Sequence, residues 1–429
     1  MSTGIAGDRD PEAAAVGPLH GIRVVELASF HGAGAGKLFG DLGAQVVVVE
    51  PPGGHGSRMV GPFVDDRPDP EGSLWWWNYN TSKKGVTLDL SDEVERAVFE
   101  KLLMEADICL ESEAPGSLEE RGLVRSQLMA KLPRLIWVSI SPFGQTGASH
   151  LRPSTDLTLM AGSGPVWNCG YDDHSLPPVR GGGHQATNVA GIHAAMGALV
   201  ALLHRDATGE GQHVDVNIHA ALNVTTELGS YSWLVARETV RRQTGRHASI
   251  TPTSPTQLQA ADGNYVVLGF PPRSAADYQS ILAWLDDLGL GETFPDRVLL
   301  EMAVQRGGVK ITELGQDPVA MEIWNAGRSS MAAIAEHLPA RECFDGFQAR
   351  GIVCGIVNPP EDLLTDAHFV ARGFPVVVPH DDLERTVTYP GAPVIFGASP
   401  WRIASRAPRI DEHRTEVLDS TGDGADPPA

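Results

Sequence analysis

Basic residues are scarce in this chain of 429 residues: 33 Lys and Arg stand against 54 Asp and Glu, for a formal net charge of −21. Nucleic acid and anionic membrane both require a positive field, so neither is expected as a partner. Any anionic ligand must then be met by a local basic patch. Cysteine is scarce too: Cys109, Cys169, Cys343 and Cys354 show no C-x-x-C and no metal-like spacing. No metal site is expected from them, and four unclustered thiols fit a reduced, cytoplasmic setting. The N-terminal residues lack the apolar core of a secretory signal. The longest apolar segment, Val189 to Leu203, falls short of the roughly 18 residues of a membrane span.

That segment belongs to the stretch from Pro177 to Asn223, around which the chain is organised. It opens with Gly181-Gly182-Gly183, and Ala and Gly recur through it. A helix apolar nearly all round is buried, and small residues let neighbouring elements come close. His213 to His219 alternates, with Val214, Val216 and Ile218 on one face, and reads as a strand. Upstream, Ile22–Leu27 and Val46–Val49 are apolar strands flanking a glycine-rich loop and a helical stretch to Leu42, a β-α-β unit with parallel strands. The glycines fit neither familiar phosphate loop. Lys37 occupies the sixth position of a dinucleotide fingerprint counted from Gly32, and His31 and Leu38 break a P-loop. A nicotinamide-dependent oxidoreductase is therefore disfavoured.

Pro51 to Asn80 reads as irregular, with Trp75-Trp76-Trp77 inside it as core or as the floor of a site. Lys83 and Lys84 stand just before a strand, as a phosphate contact or a solvated basic turn. A helix spans 92–106, with Ser91 as N-cap; strands follow at 108–110 and 135–140. Asp156 opens a helix, where a carboxylate is favoured by the dipole. The expected domains are a flexible lead-in (1–19), a large domain (20–224), a small domain (225–335), a return to the large domain (336–408) and a flexible acidic tail (409–429).

The order of several short segments resembles the class III coenzyme A transferases, the CaiB/BaiF-type group that includes formyl-CoA transferase, carnitine-CoA transferase and the α-methylacyl-CoA racemases. The segments include Asp41-Leu-Gly-Ala44, Glu50-Pro-Pro, Leu88-Asp-Leu90, Phe143-Gly-Gln-Thr-Gly147, Asp156-Leu157, Thr208-Gly-Glu-Gly-Gln-His-Val-Asp215 and Asp366-Ala-His368. The resemblance implies an α/β fold: a Rossmann-like large domain formed by both chain ends, a smaller middle α+β domain, and an interlocked homodimer, with a heteromer with a homologue as the alternative. It implies transfer of CoA between an acyl-CoA and a carboxylic acid, with CoA as substrate and no tightly bound cofactor. It also implies a CoA site carried over onto Phe30, His31, Lys83, Lys84, Leu88, Ser112, Ser117 and Arg121.

The chain departs from the family where the chemistry sits. The family nucleophile is an aspartate in a Gly-Asp pair, four residues before the glycine matching Gly191; here the pair is Ala186-Thr187. The racemase histidine before Asp156 is Thr155. The family's Glu-Asn-aromatic is Glu111-Ser112-Glu113, and a phosphate-binding arginine falls on Glu120, with Arg121 next to it. The remaining candidates are Asp156 as replacement nucleophile, or else as a capping carboxylate, and His184 and Gln185 as acid/base or amide donor, or else as loop-shaping residues. The second functional reading is an inactive or partner-dependent member that binds CoA thioesters or pairs with an active homologue.

Overall fold

The computed structural model describes residues 16–226 and 229–420. In chain order the elements are β1 (Arg23–Leu27), α1 (Ala33–Asp41), β2 (Gln45–Glu50), α2 (Leu74–Tyr79), β3 (Lys83–Thr87), α3 (Glu93–Met104), β4 (Ile108–Glu111), α4 (Ser117–Glu120), α5 (Arg125–Lys131), β5 (Ile136–Ser141), α6 (Asp156–Ser163), α7 (Gln185–Thr208), β6 (His213–Asn217) and α8 (Ile218–Asn223). There follow α9 (Gly229–Ala236), β7 (Arg241–Gln243), β8 (Arg246–Ser249), β9 (Gln257–Gln259), β10 (Tyr265–Leu268), α10 (Ala275–Asp287), α11 (Arg297–Arg306), α12 (Pro318–His337), α13 (Ala340–Ala349) and β11 (Cys354–Ile356). The chain ends with α14 (Ala367–Ala371), β12 (Pro375–His380), β13 (Arg385–Pro390) and α15 (Arg414–Ser420).

The chain divides into two compact units. The larger holds residues up to 167, 180–230 and 366 onward; the smaller holds 168–179 and 231–365. In the larger unit six parallel strands run in the order β3-β2-β1-β4-β5-β6. This is the doubly wound dinucleotide-fold order, whose ligand crevice lies at the carboxyl ends of the strands where the order reverses. Here that switch falls between β1 and β4. The central strands carry buried apolar residues because both sheet faces are covered, as in Val46, Val48, Ile108, Leu110, Ile136 and Val138.

Glycines decide the fit of α1. A Cβ on Gly191 of α7 would stand 3.2 Å from backbone atoms of Gly34 and Ala35, so α1 and α7 meet backbone to backbone. α7 is longer than its apolar segment suggested, at 24 residues, long and apolar enough in length and composition to cross a membrane. Half of its apolar window is buried, and it packs on α1, α6, β5 and β6 as the core crossover helix. Its other face leaves Ile192, Met196, Val200 and Leu203 exposed, spaced four, four and three residues apart. These four apolar side chains form one exposed stripe along the helix.

The smaller unit has its own core. A three-stranded antiparallel sheet, β11-β10-β9, packs against α10, α12 and α13 around Val266, Tyr278, Ile281, Ile323, Ile334 and Phe347.

Several sequence expectations are corrected. The return to the large unit begins at Asp366 and not at 336: α13 and β11 belong to the small unit, since β11 pairs with β10. The small unit starts at 231 and also takes in 168–179. The tail is ordered well past 409. The Pro408 carbonyl accepts bonds from Arg58 Nη2 and Trp76 Nε1, both at 3.0 Å, and α15 lies against β3. Residues 1–15 of the expected lead-in and 421–429 of the expected tail lie outside the described residues. The N-cap of α3 is Asp92, not Ser91: its carboxylate accepts from the Val94 and Glu95 N–H groups. Pro51 to Asn80 contains α2, which buries all three tryptophans.

Candidate active site

The Asp156 carboxylate is fixed from two sides. Thr155 caps α6 and sets Asp156 at its first position. Asp156 Oδ1 accepts from the Ala186 N–H at 2.8 Å, and Oδ2 pairs with Arg180 Nη1 at 2.7 Å. Ala186 lies in the first turn of α7, so one orphan donor of that helix is spent on Asp156, while its neighbours have no intrahelical acceptor. A helix N-terminus carries partial positive charge and favours an anion beside it. The carboxylate is half-buried, with 14 % of its side chain exposed, so a reactive group can still reach it.

Thr187 follows on α7 and is only 3 % exposed. Its Oγ1 is 3.5 Å from His31 Nδ1, in the loop after β1. Burial lowers the His31 pKa from its ordinary value, and the Asp156 charge opposes the shift. Next to Thr187, Asn188 Oδ1 accepts from the Tyr79 hydroxyl at 2.5 Å. Aromatic rings line the same region: Trp75 stacks at a tilt on Tyr79 with centroids 4.6 Å apart and also touches Phe30, and the His184 ring stands edge-on to it. Phe30 in turn meets His55. The aromatic cluster flanks the α7 N-terminus.

The predicted residues separate into those this region gathers and those it does not. Asp156, His184, Gln185, Thr187, Phe30 and His31 fall around the α7 N-terminus and the β1 loop. The Gln185 side chain folds back to the Gly182 carbonyl at 2.9 Å, so it shapes the loop. His184 is the N-cap residue, but its side chain makes no capping bond. Ser112, Ser117 and Arg121 lie in and after the β4 loop, on the other side of the switch point. Ser117 and Arg121 both bond Glu113, at 3.2 and 2.6 Å, so both side chains are engaged by that carboxylate.

Two expectations are corrected outright. Lys83 is not a phosphate contact: it is fully buried, paired with Glu26 at 2.7 Å, and donates to Ala33 O and Asn80 Oδ1. The two lysines open β3 instead of preceding it, so alternation sends Lys83 inward and Lys84 out to Glu416. The Leu88 side chain is core, 2 % exposed. Sequence reasoning missed Arg180, Tyr79, Asn188 and His55. Asn188, which follows Thr187, and Arg180, which precedes Gly181, stood beside residues already singled out.

The chain matches the CoA-transferase family III profile over residues 19–414. It is 33 % identical over 402 residues to the succinyl-CoA:(R)-benzylsuccinate CoA-transferase subunit BbsE of Thauera aromatica, covering 93 % of each chain. It is 28 % identical over 416 residues to the succinyl-CoA:mesaconate CoA-transferase of Haloarcula hispanica, covering 95 % of this chain and 98 % of that one. A CAIB/BAIF family protein from Brucella suis shares the fold, with a TM-score of 0.76 and 24 % identity over 95 % of this chain and 100 % of that one. A parallel sheet with its switch point between β1 and β4, an anchored carboxylate at a helix N-terminus and a match across nearly the whole length converge on one assignment: the chain belongs to CoA-transferase family III, enzymes that move CoA between a thioester and a carboxylic acid.

Proposed function

We propose that this chain takes CoA from a succinyl-type thioester, gives it to a second carboxylic acid, and uses Asp156 as its nucleophile. The observation that carries the reading is the Asp156 carboxylate, held by Arg180 and the Ala186 N–H beside the buried Thr187. The donor class follows from the names of its relatives, which act on succinyl-CoA. One Asp156 oxygen attacks the thioester carbonyl; the C–S bond breaks, CoA leaves as thiolate, and a mixed anhydride remains. The thiolate then attacks the Asp156 carbonyl and expels the donor acid, leaving an aspartyl-CoA thioester. The acceptor carboxylate attacks that thioester, and the thiolate returns to the acceptor's acyl carbon, restoring Asp156. Each tetrahedral intermediate carries an oxyanion, which the remaining first-turn N–H groups of α7 stabilise. No tightly bound cofactor is required, and the enzyme works in the cytoplasm.

The test is exchange of labelled CoA between succinyl-CoA and candidate acids. Asp156→Asn abolishes exchange, and hydroxylamine trapping during turnover labels Asp156. Exchange that survives the substitution refutes the nucleophile assignment.

A second reading is favoured by Thr187 itself: the chain is one subunit of a heteromer whose other subunit supplies the aspartate. Relatives named as subunits support it, BbsE among them and the α and β subunits of a succinyl-CoA–L-malate CoA-transferase from Chloroflexus aurantiacus. The exposed stripe on α7 suits a partner in either case, whether a second copy interlocked with the first or a homologue. Under this reading the chain alone exchanges no CoA, gains activity on co-expression with a homologue, and gains it alone when Thr187→Asp restores the family carboxylate.

A further inference from the structure

The smaller unit contains a cavity of about 360 Å³ between the β9–β10 edge and one face of α12. That is at the lower end of the range for small-molecule sites. Asn325, Arg328 and Ser329 approach it from α12 at helical spacing, so three polar side chains share one face. Leu268, Phe270 and Met331 supply apolar wall. The chemistry concentrates on Arg328. It is half-buried and donates to the Pro255 carbonyl. Among the described residues it has no ion-pair partner. The charge acting on it is another cation, Arg246, which is itself occupied by both oxygens of Asp172 at 2.9 and 3.0 Å. Burial and Arg246 both push the Arg328 pKa down from its ordinary value. Arg297 and Arg306 in this unit have carboxylate partners. Among the described residues Arg242 and Arg350 have none and are spent on backbone carbonyls or an aromatic ring, whereas Arg328 faces the cavity.

We propose that this cavity binds a monocarboxylic acid with an apolar body, its carboxylate paired with Arg328 and its body against Leu268, Phe270 and Met331. A planar guanidinium meets a carboxylate through two parallel N–H bonds, and such a contact is strong where water is partly excluded. The apolar wall selects for an acid whose remainder is hydrocarbon or aryl. A bare phosphate would leave that wall wet. The two small polar groups on α12, Asn325 and Ser329, supply the rim of hydrogen-bonding positions that orients a ligand. This names the class of acid that the transferase handles, and so rests on that reading for its biological meaning. The binding itself does not depend on it.

The experiment measures 3-phenylpropanoate binding to the full-length protein by calorimetry, with no CoA thioester present. The neutral 3-phenylpropanamide and free CoA are run in parallel. The expected result is saturable binding of the acid, no binding of the amide, and a loss of about 10- to 100-fold in Arg328→Gln. Ser329→Phe, from the exposed rim, fills the cavity without removing the charge and abolishes binding. It keeps the test valid if Arg328→Gln does not fold. Absence of acid binding, equal binding of the amide, binding unchanged in both variants, or Arg328-dependent binding of CoA in place of the acid would each overturn the assignment. CoA exchange without acid binding here removes this site and leaves the transferase reading intact. Acid binding without exchange does the reverse.

Discussion

Replacing Lys83 by Met tests whether this lysine holds the fold or a phosphate. Lys83 and Glu26 are both fully buried at 2.7 Å, and Lys83 Nζ also serves Ala33 O and Asn80 Oδ1. Removing the ammonium strands a carboxylate in the core. Burial already raises the Glu26 pKa above its ordinary 4.5, with Lys83 the main opposing influence. Without Lys83 the side chain folds only as the neutral acid. Taking up that proton at pH 7, two and a half units above 4.5, costs about 3.4 kcal/mol at roughly 1.36 kcal/mol per unit. Two hydrogen-bond acceptors also lose their donor, so the total is about 3–5 kcal/mol. The melting midpoint then falls by roughly 6–15 °C. The sign of the pH dependence follows. In the variant the folded state holds a proton that the unfolded state has released above 4.5, so its stability rises as pH falls. The variant's own stability rises by up to about 1.4 kcal/mol for each unit from pH 7 down to 5.5. The double variant Glu26→Gln/Lys83→Met recovers most of the loss at pH 7. Differential scanning fluorimetry from pH 5.5 to 7.5 on all three proteins measures this. An unchanged midpoint, or a raised KM for acyl-CoA with normal stability, refutes the buried-pair account and returns Lys83 to the ligand.

Gly36→Ala places a methyl 1.7 Å from Glu26 Oε2, against the same ion pair, and destabilises by about 2 kcal/mol or more, while Gly56→Ala, with nothing within 4 Å, leaves the melting midpoint unchanged. His31, His55, His213 and His380 all have pKa values lowered by burial. The unfolded chain therefore binds more protons at these positions below about pH 6.5, and their combined contribution to stability falls with pH from about 7 toward 5. His380→Gln reduces that slope in denaturant midpoints measured across the range. If the exposed α7 stripe seats a partner, as proposed, Met196→Glu lowers the apparent mass by size exclusion with an unchanged far-ultraviolet spectrum.

Much of the large unit was legible from local pattern. Valine runs fixed β1 and β2 as strands buried on both faces, and the alanine- and glycine-rich segment fixed α7 as core, because burial writes its period directly into neighbouring residues. The expectation that Thr187 stands where the family has its aspartate rests on counting along the sequence. What lay beyond local pattern was which side chain meets which. Lys83 and Lys84 are identical in the sequence, and only their register in β3 sends one to Glu26 and the other to solvent. The stretch near Pro408 is polar and reads as loose, yet its carbonyl is bonded by Arg58 and Trp76 from more than 300 positions earlier. β11 has the apolar look of a large-domain strand and pairs instead with β10. The chain's own order determined its element types and its family. Tertiary structure alone decided the anchoring of Asp156 by Arg180 and Ala186, because those partners lie 24 and 30 residues away and packing, not periodicity, brings them together.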